Sequence, residues 1–167
     1  MSTRSLAVRT LTPTVFADGI ALTNDEYFGV IQGGDALQRN EITEVMLGGQ
    51  AGASSPMIIV GGMNSVAATV IVLGISEDAP LDGASGDLAN PAAVGVSGTI
   101  PPQRSATTGH VLQLSFNAFG GIVRWLAAPN KPIAIVGLIT ETGSFSLSAF
   151  TGGTPGLMSS HIHYESV

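Results

Sequence analysis

The chain has 167 residues, 22 of them Gly and none Cys; 44% are hydrophobic, only 11% are charged, and the formal net charge is −6. This excludes a disordered chain, which pairs low hydrophobicity with high charge, and it excludes disulfides, thiolate metal sites and thiol catalysis. The few cations (Arg4, Arg9, Arg39, Arg104, Arg124 and Lys131) are scattered, so neither the basic stripe of a nucleic-acid binder nor a polybasic membrane patch is present.

In chain order, residues 1–24 hold two of the cations and precede the most regular part of the chain, reading either as an N-terminal arm swapped onto a neighbour or as a first strand. They lack the apolar core and small-residue cleavage site of a signal peptide, which implies synthesis in a cytoplasm. Residues 25–167 read as a single β-domain. Alternating or short apolar runs predict strands at 6–10, 14–17, 20–22, 27–31, 41–47, 57–60 and 66–73, then at 110–116, 121–126, 133–139, 144–149 and 159–165. The best helix candidate, 35–46, fits a turn plus a strand equally well. The most apolar run, 66–75, is half the length a membrane-spanning helix needs, about 20 residues.

Five Gly-Gly pairs, at 33–34, 48–49, 61–62, 120–121 and 152–153, stand beside these strands and read as turns. Residues 133–139 are almost continuously apolar, as in a strand covered on both faces. In 144–150 serines alternate with Phe145, Leu147 and Ala149, as in a strand with one wet face. The segment 76–109 breaks the rhythm with four of the nine prolines and four of the twelve acids. It predicts a long Gly/Ala/Pro-rich loop, and its Leu81, Leu88, Val94, Val96 and Ile100 suit an excursion that packs on a neighbour. About a dozen strands without helices make an all-β, single-domain antiparallel sandwich or barrel.

Chemistry-bearing patterns are sparse. His161, His163 and Glu165 share one face of a terminal strand and form a conceivable Zn or Ni ligand set; an edge strand with Ile162 and Tyr164 inward explains them without metal, and no metal site is favoured. His110 lacks a G-x-S-x-G nucleophile elbow to serve. The acid pairs Asp25-Glu26 and Glu77-Asp78 point to opposite faces, and Asp78, Asp82 and Asp87 lack EF-hand spacing. Phe116, Phe119 and Trp125 flank one hairpin and read as core residues rather than sugar platforms; Arg124, on the opposite face from Trp125, is free to pair with an acid of a neighbouring subunit. No catalytic residue and no cofactor is implied. With so few charges, much of the flank reads as buried against other subunits.

Three stretches, EITEVMLGGQAGASSPMIIVGG (41–62), LSFNAFGGIVRWLAAPNKPIAIVG (114–137) and SSHIHYESV (159–167), resemble the capsid decoration, or cement, proteins of tailed bacteriophages. The resemblance covers about half the chain, and the 76–109 segment departs from it. It implies a jelly-roll-like sandwich and a non-enzymatic homotrimer on the outside of an icosahedral shell. The partner it implies is the major capsid protein, with no direct contact to nucleic acid or membrane. Arg4, Arg9, Arg124, Trp125, Leu81 and Leu88 are the expected interface residues. The alternatives are a tail, fibre or baseplate component and a glycan-binding β-sandwich.

Overall fold

Strands account for all the regular structure in a computed structural model that describes residues 2–16, 22, 26–33, 39–66, 78–81, 93–95, 103–104, 109–136 and 143–167. In order they are β1 (Ser2–Leu11), β2 (Val15–Phe16), β3 (Phe28–Gln32), β4 (Arg39–Gly49), β5 (Pro56–Val66), β6 (Asp78–Pro80), β7 (Ala93–Gly95), β8 (Gln103–Arg104), β9 (His110–Asn117), β10 (Ile122–Leu126), β11 (Ile133–Val136), β12 (Ser144–Phe150) and β13 (Met158–Ser166). The first sheet runs β10-β4-β13-β1-β6, with β11 also on β4; the second runs β7-β3-β12-β5-β8, with β2 on β12 and β9 on β5.

Setting aside the short strands and β11, which carries on the line of β10 along β4, eight remain. They pair from the outside in: β1 with β13, β3 with β12, β4 with β10, and β5 with β9, all antiparallel. A long hairpin rolled up on itself gives this nesting, and it is the winding of a jelly roll. The all-β sandwich expected from the sequence is thus the observed fold.

Between the sheets, alternate residues make the main core. Leu6, Ile42, Leu47, Ile59, Phe145, Leu147, Ile162 and Tyr164 are each at most 1% exposed, and Phe116, Val123, Trp125 and Ile133 pack at its margin. A second, smaller core of Phe16, Leu22, Tyr27, Val30 and Val60 forms separately, with Ile58 and Phe150 against it. The parity of β5 and β12 puts Val60 and Phe150 on the side of the second sheet away from the first. That sheet is therefore covered on both faces by its own chain.

This double cover corrects the reading of β12. Ser144, Ser146 and Ser148 are buried, not wet. Arg104 lies over them, donating from Nη1 to the carbonyls of Gly62 (2.8 Å) and Ser146 (2.9 Å) and from Nη2 to the Ser148 hydroxyl. Asn64 Nδ2 donates to the hydroxyls of Ser144 and Ser146 at 2.9 and 3.2 Å. Burial pushes the Arg104 guanidinium down to about 10, so it stays charged at neutral pH.

Two glycine pairs are also corrected. Gly48-Gly49 ends β4, and Gly61-Gly62 lies inside β5, which runs unbroken where two strands and a turn were expected. A Cβ on Gly61 would sit 2.6 Å from Phe145 Cζ, and one on Gly62 would sit 2.9 Å from Arg104 Nη1. These glycines let side chains cross the sheet closely. Gly120 (φ 68°) and Gly152 (φ 132°) do occupy a turn and a bend; residue 34 lies outside the described residues. Residues 39–46 are strand, not helix. β11 is an edge strand in which only Ile135 is fully buried and Val136 is 46% exposed. The described parts of 76–109 dock on this chain itself, as β6 on β1, β7 on β3 and β8 on β5. Ser2–Leu11 lies inside the first sheet, between β13 and β6.

Candidate functional site: the charged face of the first sheet

Alternation along β4, β10, β11 and β13 sends one set of side chains into the core and the other to the outer face of the first sheet. In the sequence these residues are scattered over more than a hundred positions; the register brings them side by side. Trp125 pairs with Val45 and Ile162 with Val45 on the inner side, while Arg124 lies opposite Met46, His163 opposite Glu44, and Glu165 opposite Glu41. In a charge-poor chain, Arg39, Glu41, Glu44, Arg124, His161, His163 and Glu165 thus gather on a single face.

Glu44 is the node. Its side chain is 8% exposed. One carboxylate oxygen accepts from Arg124 Nε, and the other lies 3.0 Å from His163 Nδ1. A β-bulge between His163 and Tyr164 in register with Glu44 and Ile42 skips Thr43, which allows Glu44 to stay outward while Ile42 and Val45 are both buried. The Arg124 guanidinium holds the Glu44 carboxyl below its ordinary range, against burial, which pushes it up; His163 assists Arg124. The sequence expectation that Arg124 pairs with an acid of another subunit is corrected, since its acid is in the same chain. Arg39 and Glu41 form a second pair at 2.9 Å.

His161 and His163 meet edge to face with ring centroids 4.6 Å apart. Burial, then the neighbouring His163, pushes His161 down, with Glu44 opposing, and its Nε2 has no hydrogen-bond partner among the described residues. Glu165 lies in the next outward row, across from Thr3 and Glu41. Among the described residues no group of three or more His, Asp or Glu stands close enough to hold a metal ion.

Other sequence-selected residues fall elsewhere. Arg4 is half-buried in β1, in register with Tyr164 and Pro80. Arg9 and Leu81 are exposed, and Leu88 lies outside the described residues. Trp125 and Phe116 are half-buried against the core, while Phe119 is 58% exposed at the β9–β10 turn. His110 meets Phe16 and Phe150 edge-on. An open depression of about 430 Å³ beside β5 and β9 is lined by Pro56, Met57, Ile58, Ser115, Phe116, Asn117 and Gly152; none of these can move a proton near neutral pH. Glu44 and Arg104 were missed by sequence reasoning. The signal for Arg104 was present, as a lone cation in a neutral stretch facing a Ser-x-Ser-x-Ser strand. Glu44 had none, because a bulge decides its direction.

No protein-family profile matches the chain, and no curated protein matches it. Among solved structures, the chain is similar at a low level to viral proteins. A structure of infectious bursal disease virus, Gx strain, is 11% identical over 98% of this chain and 41% of its own, with a TM-score of 0.21. The VP2 subviral particle of that virus is 10% identical over 99% and 42%, at 0.17. VP1 of Merkel cell polyomavirus in complex with GD1a oligosaccharide is 11% identical over 99% and 70%, at 0.14. This chain spans less than half the length of the first two. The jelly-roll assignment rests on the strand order and not on these scores.

Proposed function

We propose that the chain is a non-enzymatic virion structural protein that decorates and stabilises an icosahedral phage capsid, binding the major capsid protein from the outside as a homotrimer. The observation that carries the reading is the complete eight-strand roll with an apolar interior. This winding serves viral capsid and lectin domains and cupins. A fold alone does not choose among its functions. Here the space between the sheets is filled by side chains such as Ile42, Phe145, Leu147 and Tyr164, and the open depression offers no acid or base. What is left to act is surface, and Arg9, Arg124 and Leu81 present it.

A protein that binds only the assembled shell stabilises it by mass action, and repeated attachment lets modest contacts add. The test mixes purified protein with expanded phage shells and measures sedimentation and copy number. Saturable co-sedimentation in hundreds of copies supports decoration, with the shells melting at higher temperature. Copies in the tens at one vertex point to a fibre or baseplate part. Failure to sediment, with retention on a glycan array, overturns the proposal in favour of a sugar-binding module.

A further inference from the structure

The open edge of β10 is a pairing surface. Gly49 N–H donates to Gly121 C=O and Ala127 N–H to Thr43 C=O, both at 2.8 Å. With Ile122 in register with Gly48, these bonds fix the alternation: residues 121, 123, 125 and 127 direct their N–H and C=O groups to β4. Ile122, Arg124 and Leu126 therefore direct theirs away from it, and no strand among the described residues pairs with that side. The same three residues carry the outward side chains, with Ile122 80% and Leu126 61% exposed.

Soluble proteins guard such edges with charge, proline or a short, twisted strand. The single charge here, Arg124, is engaged by Glu44 of its own sheet, so the usual guard is neutralised. The strand is also complementary to itself. In an antiparallel pair centred on Arg124, Ile122 of one copy faces Leu126 of the other, twice. Val123 faces Trp125, and the N–H and C=O groups of all three outward residues find partners. Each Arg124 brings its own counter-charge to the axis.

We propose that β10 pairs edge to edge with β10 of a second copy of this chain, joining two first sheets into one across a two-fold axis. The inference stands independently of the shell reading, since two copies would pair in the absence of any shell. Five residues a side bury less than the roughly 800 Å² per partner of a stable complex. The contact is therefore weak alone and gains strength by repetition in an assembly.

Sedimentation velocity across a concentration series, with amide hydrogen exchange on the same samples, tests it. In the wild-type protein the average mass is expected to rise with concentration, while the amides of Ile122, Arg124 and Leu126 slow and those of Val123 and Trp125 stay constant. I122K/L126K changes only exposed side chains and is expected to weaken the association at least tenfold. L126P removes an N–H that β4 does not use and should do the same. An unchanged wild-type mass overturns the proposal. So does a rise that persists in both variants, or constant exchange at the three outward amides. Shell co-sedimentation of the wild-type protein separates the outcomes, because shell binding by wild type that does not pair refutes only the edge contact, and pairing without shell binding refutes only the decoration reading.

Discussion

Gly61→Ala is the sharpest test of how the two sheets are packed. Gly61 pairs with Leu147 on one side and Leu112 on the other, so its missing side chain points into the core. A methyl group there would lie 2.6 Å from Phe145 Cζ, 2.9 Å from Cε2 and 3.2 Å from Leu112 Cβ. Phe145 is fully buried in the main core and can retreat only by displacing other core side chains or by parting the strands. Overpacking of this kind costs about 1–3 kcal/mol, and the double clash puts Gly61→Ala at about 2 kcal/mol. In a domain this size that is a fall of about 4–8 °C in Tm. Phe145→Leu alone leaves a cavity worth about 1–2 kcal/mol, but in the alanine background it makes room for the methyl. The double variant should therefore lose less than the sum of the two, by about 1–2 kcal/mol. Urea unfolding followed by the fluorescence of the single Trp, Trp125, reads all three variants. Losses that add within about 0.5 kcal/mol, or a Gly61→Ala protein as stable as wild type, would refute the packing argument.

Arg104→Met removes the donor that satisfies two buried carbonyls and the Ser148 hydroxyl; at about 1–3 kcal/mol for each group left unmet, partly relieved by relaxation, the expected loss is about 2–4 kcal/mol in urea unfolding. Arg104→Lys should recover only part of it, since an ammonium lacks the planar fork. Among the described residues, two groups shift in a way that makes stability depend on acid pH. His161 is held below its ordinary value of 6.5, so the folded state favours neutral imidazole and stability falls as pH drops below 6.5. Glu44 is held below 4.5, so its contribution is complete above 4.5 and is lost as pH falls through the lowered value. Calorimetric melting from neutral to acid pH should show the upper decline flattened in His161→Gln and the lower one in Glu44→Gln. Asn130 has φ 60° in the loop between β10 and β11; Asn130→Ala should cost about 1 kcal/mol and Asn130→Gly less, by thermal melting.

Most strands are legible because their alternation survives in the sequence. β13 places His161, His163 and Glu165 on one face and Ile162 and Tyr164 on the other, as period two demands. Where the reading fails, the cause is tertiary. The serines of β12 look wet because no local pattern announces that Arg104 covers them. Gly61 and Gly62 look like a turn because glycine is permissive by nature, and only the nearness of Phe145 and Arg104 shows that here it makes space. The face built round Glu44 is legible in its parts and not as a site. The distance in sequence between β4, β10 and β13 hides it, and the bulge at Thr43 shifts the alternation by one residue.

The nested pairing also sets an order of events for the growing chain. The innermost pair, β5 with β9, can close while the chain is being made. β1, in contrast, has Ser2 in register with Ser166 and Leu6 with Ile162, so its main partner lies more than 150 residues away in this sequence. Contacts this distant in sequence fold slowly, and until they form, β1 and β4 each wait with an unpaired edge where β13 belongs. The roll closes like a drawstring, with the strands most distant in sequence among the last to be secured. Removal of β12 and β13 together should therefore leave both sheets open, with β3 parted from β5 in the second and β1 parted from β4 in the first.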